Sequence, residues 1–284
     1  MAAAPGPAVG IVSEPAKPRS RFPAQIHPSA PAAKARAGTL RPQRPLAEAA
    51  RDARQQVLQT QPSGLGLDSA AMRLRMIERL RADGVRCEPV LRAMLAVPRH
   101  RFVDSALAAQ SYEDTSLPIG LGQTISKPSV VARMLEWLHL GESARQRGDL
   151  GRVLEIGTGC GYQTALLALM ASQVVTIERL RPLYESARAK LAQLQTQRCQ
   201  MVYGDGMHGH RPRAPYDSII AAAGGGDLPP HWLEQLAVGG RLIAPTRAAD
   251  GRSQILVIVD RSADGWRRTA GETVQFVPLK SGTS

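Results

Sequence analysis

The chain has 284 residues, 43% of them apolar, enough for a sizeable core in one large domain or two small ones. No apolar run reaches the length of a membrane span or a signal-peptide core, and the odd, widely spaced Cys87, Cys160 and Cys199 offer no Cys-x-x-Cys metal pair. The balance is basic, 36 Lys and Arg against 24 Asp and Glu, so the placement of the charge decides whether nucleic acid is a plausible partner.

That placement is uneven. Residues 1–67 hold nine of the bases and three of the acids, so half of the net +12 sits in under a quarter of the chain. Ten of the 21 prolines fall there too, with Phe22 as the lone aromatic residue. Such a segment cannot bury enough apolar surface to offset the entropy of ordering. It is predicted to be a disordered tail ahead of a folded domain over 68–284. Its Arg- and Ala-rich, acid-poor start also has the composition of an organellar transit peptide. The three thiols fit a reducing compartment, and a cytoplasmic location is expected.

Order is predicted to begin at Asp68 or Ser69, capping a helix with Met72, Met76, Ile77 and Leu80 on one face and Gly84 as its stop. A second helix starts at Pro89 and runs through Leu91, Met94 and Leu95 until Pro98 ends it. The pair forms a small N-terminal helical cap rather than a separate domain. The stretch LPIGLGQTISKPSVVARM, residues 117–134, then joins a glycine-bearing loop to an amphipathic helix. Ser126 is placed at the N-cap with Pro128 in the first turn, and Val130, Val131, Met134, Leu135 and Leu138 form the buried stripe. A helix start offers free N–H groups and partial positive charge, so it is either an ordinary cap or a seat for a small anion. Thr124 and Ser126 are the hydroxyls there.

From Arg152 onward strands and helices alternate. RVLEIG, QVVTIE, CQMVYGD, YDSIIAAA and GGRLIAP are short apolar runs, whereas YQTALLALMA, RPLYESARAKLAQL and PPHWLEQL are helical. Uninterrupted apolar strands imply burial on both faces, hence an α/β fold with a doubly wound, Rossmann-like sheet over 141–284. SQILVIVD and ETVQFVPL lack an intervening helix. Joined by a turn at Asp264-Gly265, they are predicted to close one sheet edge as antiparallel strands.

Gly157, Gly159 and Gly161 lie at the first joint between strand and helix, where backbone can approach a ligand closely. The third glycine arrives one residue too early for the dinucleotide fingerprint, and Tyr162 stands in its place, which argues against NAD. Glu178 ends the next strand about twenty residues on, placed to accept hydrogen bonds from two ribose hydroxyls. Alone, it reads equally well as an acid facing the start of the following helix. Asp205 and Gly206, at the end of the third strand, suit an adenine amino group and ring, or a plain Asp-Gly turn.

Glu155, Gly157, Gly159 and Gly161 at alternate positions, an acid after strand two and another after strand three resemble the S-adenosylmethionine-dependent methyltransferases. That likeness adds Glu155 to the cofactor-binding set. GQTIS-x-P, with VPRHRFV before it, FVPL near the C-terminus, and LEIGTGCGYQTA, GDG and GGRLIAP between, closely resembles the protein-L-isoaspartate O-methyltransferase family. The resemblance spans residues 70–280. It implies methyl transfer from S-adenosylmethionine to the side-chain carboxylate of L-isoaspartyl residues in damaged proteins and peptides, starting repair through a succinimide. It makes Ser126 the hydroxyl that orients this carboxylate, with Thr124 beside it. A carboxylate is already ionised at neutral pH, so positioning matters more than proton transfer. His100, His139, His208, His210 and His231 then need no catalytic role. Isoaspartyl proteins and peptides are the expected partners, with no metal, membrane or nucleic acid, and the chain is expected to be a monomer. The run Gly224-Gly225-Gly226 departs from the alanines and proline-bearing loop common in the family, and is predicted to loosen a wall of the acceptor site.

Two rivals fit less well. An amino-methylating nucleic-acid enzyme would carry Asn or Asp directly before Pro-Pro, but in DLPPHW Leu228 intervenes. A non-catalytic RNA- or membrane-binding protein on the same fold has no need of the glycine loop or the GQTIS segment.

Overall fold

The computed structural model describes residues 69–194 and 198–284, so the predicted tail and the Asp68 cap lie outside the described residues. Helix α1 (Ser69–Ala82) is followed by Gly84 at φ 95°, a left-handed backbone that favours glycine. Helix α2 (Glu88–Ala96) has its proline in the first turn and stops before Pro98, as expected. Short 3-10 turns at Arg99–Phe102 and Ser105–Gln110 lead to the GQTIS region.

That region is more ordered than a loop. Strands β1 (Leu117–Gly120) and β2 (Gln123–Ile125) pair antiparallel as a hairpin. Its tip residues Leu121 and Gly122 both take positive φ, 53° and 68°, which a tight turn between twisted strands requires. Helix α3 (Pro128–His139) buries Val131, Met134, Leu135 and Leu138. Its N-cap is Lys127, one residue later than expected, and no side chain caps it locally. Pro128 has no N–H to satisfy. The next donor, the N–H of Ser129, is accepted by Asp114 Oδ1 at 2.8 Å, and the Ser129 hydroxyl donates to Oδ2 at 2.8 Å. The helix start therefore does hold an anion, and it is a carboxylate of the chain itself.

After α4 (Glu142–Arg147) come β3 (Arg152–Ile156), α5 (Tyr162–Met170), β4 (Gln173–Glu178), α6 (Arg181–Ala192), β5 (Cys199–Tyr203), β6 (Tyr216–Ala221), α7 (Pro230–Gln235), β7 (Leu236–Arg247), β8 (Gln254–Ser262) and β9 (Gly265–Val274). The seven strands lie in the order β5-β4-β3-β6-β7-β8-β9. Neighbours are parallel from β5 to β7 and antiparallel from β7 to β9, which is the doubly wound sheet with an antiparallel edge. Alternate strand residues enter separate cores. Val153 and Val174 join α1, α2 and α3 on one face, while Leu154, Ile156, Val175 and Ile177 pack with Trp232 on the other. The helical cap thus shares its core with the sheet. Strand order reverses between β3 and β6, and at such a switch point open α/β sheets bind ligands.

The C-terminal segment differs from its expected form. Ser262 pairs with Gly265, so Ala263 and Asp264 make the turn, and β9 stops at Val274. FVPL leaves the sheet. The Gly224 N–H donates to the Val277 carbonyl at 2.9 Å, and the Leu279 N–H returns a bond of 2.7 Å to the Gly224 carbonyl. A Cβ on Gly224 would stand 2.5 Å from Gln254 Nε2. Gln254 in turn accepts from the Phe276 N–H at 2.7 Å. The glycine run is therefore a place where backbone docks closely on backbone, and it fixes the C-terminal segment.

Candidate active site

The switch point opens into a cavity of about 250 Å³ bounded by Gly157, Thr158, Gly159, Glu178, Gly206 and Ala222. Its floor is shaped by hydrogen bonding: the N–H groups of Gly157 and Thr158 both donate to the Ile177 carbonyl, at 2.9 and 3.2 Å. Gly161 closes the loop at φ 90°, and a Cβ there would press on Leu191 of α6 at 3.2 Å. The early third glycine thus allows α6 to sit against the loop.

Glu178 is buried beside this loop. Its Oε2 accepts from the Gly159 N–H at 2.8 Å and its Oε1 from the Leu180 N–H at 2.9 Å. A carboxylate oxygen accepts two hydrogen bonds, so each retains capacity for a donor inside the cavity. Gly206 lies on the wall, where a Cβ would stand 2.6 Å from Ile156 Cγ2. Asp205 is not among the described residues lining the cavity. Its Oδ1 accepts from the Met207 N–H at 2.8 Å and its Oδ2 from the Gly282 N–H at 2.6 Å.

Glu155 also stands outside the described lining. It is fully buried, and accepts from the Thr164 hydroxyl at 2.5 Å and the Gln163 amide at 3.0 Å, tying β3 to the first turn of α5. Desolvation raises its pKa from 4.5 to about 7, against the opposing pull of these hydrogen bonds.

Ser126 and Thr124 border a second space. A groove of about 1060 Å³ runs past Lys127, Val130, Arg252 and Phe276. Thr124, Ser126, Val277 and Pro278 line both the cavity and the groove. They form a shared wall. Thr124 is exposed and Ser126 half-buried, and the Ser126 hydroxyl makes no hydrogen bond among the described residues.

Behind Ser126 lies a residue that the motifs did not single out. Arg99 is wholly buried, with Nη2 donating to the Ser126 carbonyl and Nε to the Ser111 carbonyl, each at 2.7 Å. Its guanidinium carbon rests 4.9 Å from the centroid of the Tyr162 ring. Burial pushes the Tyr162 phenol up to about 12, so this ring stays neutral. VPRHRFV offers three basic residues in a row. The one signal for Arg99 is its spacing from Phe102, since i and i+3 of a 3-10 turn share a face.

Among the described residues no group of three His, Cys, Asp or Glu could hold a metal, and no helix is long and apolar enough to cross a membrane. None of the three cysteines is in a disulfide.

The family model for protein-L-isoaspartate(D-aspartate) O-methyltransferase matches residues 71–284, which take in both cavities and the shared wall. The chain belongs to this family. Among isoaspartate methyltransferases it is 57% identical to the protein-L-isoaspartate O-methyltransferase of Methylibium petroleiphilum over 269 residues, 94% of this chain and 98% of that protein. The Leptothrix cholodnii protein of the same name is 61% identical over 246 residues, 86% and 84% of the two chains. A solved protein-L-isoaspartate O-methyltransferase superposes with a TM-score of 0.66 at 28% identity, covering 74% of this chain and 66% of that one. The isoaspartate methyltransferase fold recurs in a Plasmodium falciparum structure, solved with S-adenosyl-L-homocysteine, at a TM-score of 0.63 and 23% identity. That likeness covers 73% of this chain and 98% of the other.

Proposed function

We propose that this enzyme transfers the methyl group of S-adenosylmethionine to the free carboxylate of L-isoaspartyl residues in damaged proteins and peptides, the α-carboxylate that stands as a side chain once the backbone runs through the β-carboxyl. The observation that carries the reading is the shared wall: Thr124, Ser126, Val277 and Pro278 line both a small cavity and a larger groove. The cavity fits a nucleoside donor, because Glu178 keeps acceptor capacity beside a floor of close-approaching glycine backbone. The groove fits an extended peptide.

When bound, the donor supplies a methyl group on a sulfonium centre, which departs as a neutral thioether. Everything else is the work of the chain. Glu178 holds the ribose hydroxyls, Gly157 and Gly159 bring backbone close while Gly161 seats α6 against their loop, and Gly206 and Asp205 form the adenine end. Glu155 acts from behind the loop by holding α5 in place. Ser126 donates its unengaged hydroxyl to the acceptor carboxylate, and Thr124 flanks it. The acceptor is ionised at neutral pH, so no residue has to remove a proton. Rate comes from orientation and exclusion of water. Leu121 at the hairpin tip and Val277 to Lys280 close over the cavity to that end.

Methoxide leaves an ester more readily than hydroxide leaves an acid, so the neighbouring backbone nitrogen attacks the ester carbonyl, loses its proton and expels methanol, closing a succinimide whose hydrolysis returns some normal aspartate. That explains a repair enzyme with no hydrolytic residue. A catalytic domain of 68–284, a dispensable tail, a cytoplasmic location and a monomeric state belong to the same reading. The deciding experiment measures methyl incorporation into an isoaspartyl peptide beside its aspartyl twin. Methylation of the isoaspartyl peptide alone is expected; methylation of the twin, or of neither, overturns the reading.

A further inference from the structure

Arg99 is wholly buried and enters no ion pair among the described residues. Two of its nitrogens serve the Ser111 and Ser126 carbonyls, while Nη1 is buried without a partner. The Tyr162 hydroxyl, on the ring beneath it, is likewise buried, and the one side chain it interacts with is the Arg99 guanidinium itself, short of good hydrogen-bond geometry. The ionisable groups around the guanidinium are Tyr162, Cys160, Tyr112 and Asp114. Burial raises the pKa of the first three, which keeps them neutral, so Asp114 is the one acid acting on the guanidinium, and it makes no ion pair with it while accepting from Ser129. A buried cation with no ion-paired carboxylate is costly to keep, even with Asp114 attracting it from a distance. A neutral amide would serve carbonyl oxygens without that cost, so the charge itself calls for an explanation.

We infer that Arg99 is a positioning residue of the acceptor site: it fixes Ser126 through its backbone carbonyl and supplies the positive charge that an incoming carboxylate balances. The inference rests on the reading of Ser126 as the acceptor-side hydroxyl. It adds that the site selects an anion by field as well as by hydrogen bonding. Tyr162 connects the same cation to the donor cavity that its ring lines. Arg99 is thus placed behind both halves of the site.

The test compares an isoaspartyl peptide with a twin whose free carboxylate is a carboxamide, using the full chain. The wild type is expected to prefer the carboxylate, as KM for the peptide against Ki for the amide. In Arg99→Met that preference falls about tenfold, the scale of a unit charge across a part-buried site. The loss appears mainly in KM for the peptide and exceeds any change in calorimetric affinity for S-adenosylhomocysteine. Arg99→Lys keeps the charge and most of the preference. A purely structural tie would instead lower Tm and kcat in both variants and leave the ratio of the two peptides alone.

An unaltered ratio in Arg99→Met overturns the inference, as does an equal fall in Arg99→Lys. Should Arg99→Met fail to fold, Arg99→Gln gives the same comparison while keeping a donor for the Ser126 carbonyl. Should neither fold, loss of the preference in Arg99→Lys at an intact Tm overturns it. A wild type that methylates no isoaspartyl peptide would sink the underlying reading of the site. A methylating wild type with an indifferent Arg99→Met removes only the role of Arg99.

Discussion

The carboxylate of Asp205 accepts a 2.6 Å hydrogen bond from the Gly282 N–H, 77 residues further along the chain. The acid proposed to read the adenine end therefore also anchors the C-terminal segment. Arg179 reinforces the anchor, with Nε donating to the Gly282 carbonyl at 2.9 Å. Asp205→Ala is expected to raise the Kd for S-adenosylhomocysteine about tenfold, the value of one charge-assisted hydrogen bond. Exchange of the Gly282 amide should quicken at the same time. Faster exchange at an unchanged Kd would leave Asp205 as an anchor and nothing more.

Glu178 ties the glycine loop to the start of α6 before any ligand arrives. Glu178→Ala leaves the N–H groups of Gly159 and Leu180 without their acceptor and removes the ribose contact. Donor affinity should fall at least about tenfold and stability by about 1–3 kcal/mol. Glu178→Gln, with one acceptor oxygen left, should fall between. Calorimetry and melting together decide the matter, and a folded Glu178→Ala with wild-type affinity would remove the ribose role.

Ser126→Ala should lower kcat/KM roughly 10- to 100-fold, or about 1.5–3 kcal/mol of transition-state binding. Donor affinity should barely move. Because Lys127 holds the N-cap and Asp114 serves Ser129, the substitution should change stability by less than about 0.5 kcal/mol. Initial rates and melting curves test both halves. A wild-type rate would make Ser126 a bystander.

Glu155 gives the fold a pH dependence of unusual sign for an acid. Its folded pKa of about 7 lies above its ordinary 4.5, so the folded state binds a proton that the unfolded state has already released. Its contribution is therefore full below pH 4.5 and is lost as pH rises towards 7. The loss is bounded at about 3 kcal/mol. Urea denaturation of Glu155→Gln should show a flatter profile between pH 5 and 8 than the wild type. Parallel profiles would mean that Glu155 titrates elsewhere.

The sheet was legible because its strands are short, apolar on both faces and separated by helical stretches, as in RVLEIG and QVVTIE. Glu178 and the glycine loop were legible for a related reason: their place at a strand end follows from chain order alone. Long-range relations left no such trace. Nothing local in VPRHRFV says that Arg99 reaches Ser111, Ser126 and Tyr162. ETVQFVPL has the composition of a strand throughout, yet Val277 and Leu279 bond to Gly224 of a loop instead. Ser126 has the chemistry of a cap, but Asp114, twelve residues upstream of it, reached the helix start first.

The cavity joins parts of the chain that are made far apart in time. Its glycine floor comes from residues 157–159, while Val277, Pro278, Leu279 and Lys280 enclose the opposite side. A nascent polypeptide stalled between those points would contain the whole glycine loop, Glu178 and the Thr124 and Ser126 part of the shared wall, but not its Val277 and Pro278 part. The cavity is thus incomplete until residues 277–280 have been made.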